Sequence, residues 1–520
     1  MADARALHQL GQRDAFEHAA RLFVDAYPNL LQHAVPLAVV RVFVERELWA
    51  FDRGDDVGQR DLPGRAGEHV TTADAAFRAH EPGALHREQD LLEVRLRQVR
   101  PLCDLFHRRR ALAAVERERE QRSSCIVAAR RHLHAAIVAR PANRGDPALY
   151  AAVMSPLTAD AVLPALDGAS VAGVIPALLG ARDASWLPPP VAGADAVVLV
   201  VLDGLGWNAV REHGARMPAV AAMEGGPITT VVPSTTATAL TSITTGLAPA
   251  QHGIVGYRMR VGAAVLNVLR WSVDRGKAPD PFDVQRHTAF LGRAVPVVTK
   301  VEFRSTSFTE AHLRGGRFIG WHTTSALIEH CVQCIEAGER LVYAYYPGVD
   351  NVAHEFGLRG RAYERELATA DRLVADLVDV LPANVCVLVT ADHGQVHLER
   401  SSWIELADIA PLTETMGGDG RFRNVYARPG AARELLEATR ARFGDVAWVW
   451  SRAELLDDGL LGAGATGTIP GRLGDVVLAA REPIAFVDPA VVNETHLRSG
   501  HGSLTADEML VPLVAARGTR

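Results

Sequence analysis

Three apolar runs of this 520-residue chain stop at or near an aspartate: VVLD at Asp203, YYPGVD at Asp350 and VLVTAD at Asp392. Two of these aspartates have a histidine close by. His354 follows Asp350 at i+4, which puts carboxylate and imidazole on one face of a helical turn. His393 is adjacent to Asp392, so both reach one ion only from a loop. A further histidine, His501, lies between glycines in SGHGS. One aspartate at a strand end is indistinguishable from the N-cap of the next helix. Three, two of them accompanied by histidine, point instead to a mixed oxygen and nitrogen ligand set. Six such ligands are enough for two divalent ions with open positions, and the mixture suits Zn²⁺, with Mn²⁺ also compatible.

A second feature is the stretch VVPSTTATALTSITTG at 231–246, which carries eight hydroxyl side chains. A hydroxyl is a poor nucleophile unless its proton is drawn off, and a nearby divalent ion does this. A helix starting in this stretch would add exposed N–H groups and a positive dipole end, favouring alkoxide and phosphate alike. Ser234, Thr235 and Thr236 are the candidates at such a helix start.

The elements around these residues alternate. AVVLVVLD, LVYAYYPGVD and NVCVLVTADHG read as strands, and 236–245 and 361–381 as helices. This predicts an α/β fold: a doubly wound, mainly parallel sheet flanked by helices, whose C-terminal strand edge is where ligands bind. The stretch 422–451 reads as a βαβ-like unit within an insertion at about 416–480. The working domain is expected over 154–520, with its core at 190–415 and 480–520. Residues 1–153 hold 23 Arg, no Lys and little sustained apolar periodicity. They are expected either to lie upstream of a start at Met154 or to form an accessory helical domain.

The formal net charge of −6 excludes the basic excess of a nucleic-acid binder. The longest apolar runs are too short to span a bilayer, so no membrane association is expected. The five cysteines show no framework spacing, and Cys331 and Cys334 form a lone CxxC in a helical pattern, read as two small apolar residues. Reduced thiols and the absence of an apolar leader suggest a cytoplasmic protein. DGLGW lacks the GxGxxG spacing of a dinucleotide-binding turn.

Five motifs in fixed order, VLDGLGW, PSTTATALTSITTGLAPAQHGIVGY, DNVAH, ADHG and SGHGS, resemble the alkaline phosphatase superfamily, most closely its nucleotide pyrophosphatase/phosphodiesterase branch. The resemblance spans about 196–513 and implies two zinc ions at the sheet edge. Carried over by position, Asp350, His354 and His501 would hold one ion, and Asp203, Asp392 and His393 the other, together with the nucleophile. Counting from the shared proline and the shared TGL puts that nucleophile at Thr236, with Ser234 and Thr235 capping the helix. The implied function is a two-step hydrolysis of a small-molecule phosphate ester through a phospho-threonine intermediate.

Tyr257 stands where this branch carries an asparagine, five residues after His252. Its phenol and the neighbouring Arg258 or Arg260 are the expected substrate contacts, which leaves monoester or phosphonate hydrolysis as alternatives. A phosphomutase would need a sizeable cap domain, and only about eighty residues separate Tyr257 from the strand at 341. A catalytically inactive binding protein is the alternative of another class. His252 is expected to be structural, and His397 a surface or supporting residue.

Overall fold

A computed structural model describes residues 157, 160–491 and 494–520. The readings made of residues 1–153 lie outside the described residues. Six strands of the main sheet precede the inserted segment: β1 (Ala196–Leu202), β2 (Glu224–Thr229), β3 (Pro296–Lys300), β4 (Arg317–Trp321), β5 (Leu341–Tyr346) and β6 (Val385–Thr390), with a separate sheet of three short strands at 258–261, 264–267 and 272–273 between β2 and β3. Four more follow in the inserted segment, β7 (Thr413–Asp419), β8 (Phe422–Ala427), β9 (Ala447–Ser451) and β10 (Val476–Ala480), before the C-terminal β11 (Leu510–Arg517).

The main sheet has the order β2-β11-β6-β1-β5-β3-β4. Only β11 runs against the rest, pairing antiparallel with both β6 and β2. Its centre is β1, AVVLVVL, with every residue buried. A strand covered on both faces has no reason to alternate, and burying each such side chain contributes roughly 1.5–3 kcal/mol. β1 pairs in parallel with β5 on one side and β6 on the other. Leu202 is level with Tyr346, and Val201 with Thr390. This register brings the chain segments carrying Asp203, Asp350 and Asp392 out at one edge.

Helix α1 (Thr236–Thr245) is buried along its whole length and ends at Gly246, whose φ of 71° is the left-handed conformation that glycine adopts without strain. Helix α2 (Thr324–Glu336) carries Cys331 and Cys334 as buried free thiols. Helices α3 (Gly348–Phe356) and α4 (Arg361–Val380) follow β5. No helix among the described residues is long and apolar enough to cross a membrane.

The inserted segment forms its own antiparallel sheet, in the order β7-β8-β10-β9. Helix α5 (Ala432–Phe443) joins β8 to β9. Both strands pair with β10, so the strand–helix–strand unit seen in the sequence is present with a third strand placed between its two strands. A separate core that includes Val425, Leu435, Phe443 and Phe486 holds this layer together.

His252 ties α1 to the turn that follows it. Its Nδ1 accepts from the Ile254 N–H at 3.1 Å, which leaves Nε2 as the donor to Ser242 Oγ at 2.8 Å. Burial holds this imidazole down to about 3, so it stays neutral in the folded chain. The unfolded chain takes up a proton there below its ordinary value of about 6.5, so this residue's contribution to stability falls as pH drops from there towards 3. Urea unfolding of wild type and His252→Gln over pH 7 to 4 should show a shallower loss in the variant; parallel curves would refute the assignment.

Candidate active site

Gly204 follows Asp203 at the end of β1 with φ of 74°, and a Cβ there would meet Gln395 Nε2 at 2.2 Å and Asp350 Cβ at 3.0 Å. Only glycine lets these three segments converge. Asp203 is 3% exposed, and its Oδ2 accepts from the Tyr345 hydroxyl. Asp392 is fully buried, and its Oδ1 accepts from the N–H groups of Gly204 at 3.1 Å and His393 at 3.0 Å. In each case the second oxygen is left over: Asp203 Oδ1 and Asp392 Oδ2 are buried without a hydrogen-bond partner, as is Asp350 Oδ1.

The three histidines are oriented alike. Nδ1 of His393 lies 3.0 Å from the Gly394 carbonyl, that of His501 3.1 Å from the Ser234 carbonyl, and that of His354 3.2 Å from the Ser499 carbonyl. A carbonyl only accepts, so each Nδ1 carries the proton and each Nε2 keeps its lone pair for the site. His393 Nε2 is 3.4 Å from Asp392 Oδ2 and 3.6 Å from Asp203 Oδ1. The His393 and His501 rings stack at 3.8 Å, and His354 Nε2 is 3.3 Å from Asp350 Oδ1.

Thr236 is the first residue of α1 and is 8% exposed. Its Oγ1 lies 3.0 Å from His393 Nε2. Two groups have ligand atoms within 4.8 Å of one another: Asp203, Asp392 and His393, and Asp350, His393 and His501. His354 joins the second group through its contact with Asp350.

Electrostatics agree with a site built for cations. Burial drives the Asp203 carboxyl well above the ordinary carboxylate range, and Asp392 and Asp350 add to the shift. Burial also raises Asp392, and holds His501 well below the usual imidazole value, helped by His393 and His354. Orphaned carboxylate oxygens facing unprotonated Nε2 atoms are the donor set expected for divalent ions.

Two expectations change at the rim. Arg258 does not offer a free guanidinium, because it is buried in an ion pair with Asp488. Arg260 is likewise held by Glu414 at 2.9 Å. Tyr257 is half-buried, and its oxygen accepts from Asn267 Nδ2 at 2.7 Å, leaving the phenol proton for another acceptor. Thr235 stands at the N-cap of α1, but its hydroxyl makes no cap bond. Ser234 Oγ donates to the Ser503 carbonyl at 2.7 Å and accepts from the Gly502 N–H at 3.2 Å, joining the loop before Thr236 to that of His501. His397 supports α3's exit, its Nδ1 accepting from the Leu358 N–H at 3.2 Å.

Sequence reasoning missed Tyr345, Gln395, Ser499 and Asp419. Tyr345 is the inward alternate of an aromatic strand, and Asp419 is another aspartate at a strand end, between glycines in GGDGRF. That second signal was present in the text and was assigned to the insertion.

Residues 197–502 match the family described as type I phosphodiesterase/nucleotide pyrophosphatase. A search of curated proteins finds no match. Among solved structures, murine ectonucleotide pyrophosphatase/phosphodiesterase 5 is 15% identical, with a TM-score of 0.50 over 62% of this chain and 88% of its own. The same murine protein, as an inactive variant in complex with AMP, gives 14% and 0.49 over 62% and 87%. The human counterpart gives 15% and 0.45 over 62% and 87%. At these identities the likeness is one of fold.

Because Asp203 and Asp392 are raised, the metal-free protein loses their contribution to stability as pH climbs above the ordinary carboxylate range. Adding Zn²⁺ or Mn²⁺ at pH 7.5 should raise its Tm, with about 2.7 kcal/mol gained at a hundredfold excess over Kd. In Asp203→Asn/Asp392→Asn the gain should be largely lost. Scanning calorimetry with and without metal decides this, and an equal gain in the double variant would refute the ligand assignment.

Proposed function

The chain belongs to the type I phosphodiesterase/nucleotide pyrophosphatase family, hydrolases of phosphoric esters, and on that premise we propose that it cleaves a small phosphodiester or pyrophosphate, with Thr236 as the nucleophile. The observation that carries this reading is the placement of Thr236 Oγ1, at the start of a buried helix and 3.0 Å from His393 Nε2.

Asp203, Asp392, His393 and Thr236 would hold one divalent ion, and Asp350, His354 and His501 a second, with Zn²⁺ the first choice for this donor set and Mn²⁺ the next. Bound there, such ions supply positive charge that favours the alkoxide and offsets charge on the phosphoryl oxygens. Thr236 Oγ attacks phosphorus as its proton is lost to water, the bond to the leaving oxygen breaks, and the leaving alcohol or phosphate takes up a proton and departs, with the remaining substituent still on the phosphoryl group bound to Thr236. Water then attacks the same phosphorus, breaks the bond to Oγ and restores the hydroxyl. The N–H groups at the start of α1 and the free phenol proton of Tyr257 serve the non-bridging oxygens.

The charge at the rim favours diesters over monoesters. A monoester brings a second negative charge, and both nearby arginines, Arg258 and Arg260, are already paired with carboxylates. An inactive binding protein has no need for a hydroxyl, three carboxylates and three oriented histidines in one place, so the complete constellation supports an enzyme.

The zinc-loaded protein should turn over bis(p-nitrophenyl) phosphate at least about tenfold faster than p-nitrophenyl phosphate. Thr236→Ala should lose about a thousandfold or more in kcat while keeping its metal, because nucleophile loss removes a term of that order. Steady-state assays paired with metal analysis read both outcomes. Full activity in Thr236→Ala would overturn the nucleophile, and faster monoester hydrolysis would overturn the substrate class.

A further inference from the structure

Gln395 is buried two residues after His393, against Gly204 and beside Asp350. Its Nε2 lies 3.5 Å from the Gly204 carbonyl, which can only accept. That sets the direction of the amide and turns Oε1 towards Ser499, whose buried Oγ donates to it at 2.6 Å. A hydroxyl has one proton, so Ser499 Oγ presents only lone pairs to its other neighbours. One of these is His354 Nδ1, 3.2 Å away and at the same distance from the Ser499 carbonyl.

Backbone contacts already fix where Ser499 stands. Val396 and His397 pair with Gly500 and Ser499 in a short antiparallel ladder, and the Arg498 N–H donates to the His354 carbonyl at 2.9 Å. What the backbone leaves open is the direction of the hydroxyl proton. Turned the other way, Ser499 Oγ–H donates to Nδ1, and the neutral imidazole then carries its own proton on Nε2. Asp350 Oδ1, 3.3 Å from that Nε2 and buried without a hydrogen-bond partner, draws the proton the same way. An imidazole with its proton on Nε2 has no lone pair there for a cation.

We propose that Gln395 is a positioning residue for the second ion: by drawing the Ser499 hydroxyl proton onto its amide oxygen, it keeps the His354 proton on Nδ1 and the Nε2 lone pair open to the metal. The inference rests on the reading of Asp350, His354 and His501 as the ligands of that ion. It gives the turn after β6 a part in both groups, with His393 in the first and Gln395, two residues on, behind a ligand of the second. It also accounts for a buried amide where an apolar side chain would fill the same space. Removing the amide oxygen frees the hydroxyl to turn onto Nδ1, where it works with Asp350 to close the ligand position.

The test titrates the metal-free full chain with Zn²⁺ in competition with a chelator, and Asp350→Asn identifies the binding step that belongs to the second group. Gln395→Met keeps the length of the side chain and removes the acceptor. It should weaken that step about tenfold and leave the other within about twofold, the low end of what losing a group behind a metal-bound imidazole costs. Ser499→Ala, with the carbonyl still on Nδ1, should stay within about threefold of wild type. In Gln395→Met/Ser499→Ala no hydroxyl remains to misdirect the proton, and affinity should return to the Ser499→Ala value. Nitrogen-15 NMR of the metal-free protein at about pH 8, where histidine is neutral, should show His354 protonated on Nδ1 in wild type and partly on Nε2 in Gln395→Met. A merely structural role for Gln395 would leave the double variant as weak as the single one and the tautomer unmoved. That outcome, or an unchanged second step in Gln395→Met, overturns the inference. If Gln395→Met does not fold, Gln395→Leu removes the same acceptor and takes its place in each comparison. A wild-type chain that binds no second ion overturns the two-ion reading itself, and this inference with it.

Discussion

Repulsion among buried carboxylates governs this end of the sheet. Asp203 and Asp392 are buried, Asp350 adds to their field, and each presents an oxygen with no hydrogen-bond partner. Two like charges about 4 Å apart repel by about 4 kcal/mol at an effective dielectric near 20. The chain relieves part of this with donors on the outer oxygens, from Tyr345 and from the N–H groups of Gly204 and His393. It leaves the inner oxygens facing one another. Hydrogen bonds cannot offset that arrangement as a cation can, so the fold stores a demand for positive charge at this edge.

The surrounding elements follow from that demand. Parallel pairing of β1 with β5 and β6 levels their ends and delivers the three acidic segments to one edge. Gly204 lets the segments approach more closely than any side chain would allow. The histidines are fixed from behind through Nδ1, by carbonyls belonging to three different loops. The Ser234 carbonyl that orients His501 lies just before the N-cap of α1, so the two halves of the site are set by one peptide unit. The fully buried Arg421–Glu508 pair joins the inserted sheet to the segment between His501 and β11. Pairs of this kind add little net stability, and breaking one leaves a buried charge uncompensated.

Much of this was legible in the sequence because it is local. A continuous apolar run ending at an aspartate marks a strand buried on both faces with a candidate ligand past its end, and β1 and β6 are such runs, whereas Asp350 lies beyond β5 in the first turn of α3. The helix at 236–245 and the long amphipathic one after 361 follow from spacing and flanking glycines. Long-range partners were not legible. Nothing near Arg258 in the chain announces Asp488, 230 residues away, so a buried ion-pair member looks the same in the text as a free phosphate ligand. Asp419 was hidden for the same reason: it packs beside Gly502, far along the sequence. The inserted sheet shows strand–helix–strand periodicity, but the text does not reveal that β10 enters between the two strands.

The hydroxyl-rich helix shows how such side chains are sorted once every face is buried. A buried hydroxyl without a partner costs about 1–3 kcal/mol, so each of the eight needs somewhere to go. In the later turns they fold back on their own helix: Thr241, Thr244 and Thr245 donate to carbonyls four residues earlier, at 2.7, 2.9 and 2.6 Å. Ser242 takes the donor of His252. Towards the start they turn outward, Ser234 to the Ser503 carbonyl and Thr236 to His393. Only Thr238 Oγ1, in the first turn of the helix, is left buried and without a partner. Back-bonding to the i−4 carbonyl is available in the body of a helix and not in its first turn, where the preceding residues are no longer helical. Residues there must look outside the helix for partners. This end-effect of helix geometry separates the hydroxyls that bond back to their own helix from the one that meets His393, and it places Thr236 at the helix start beside an oriented imidazole.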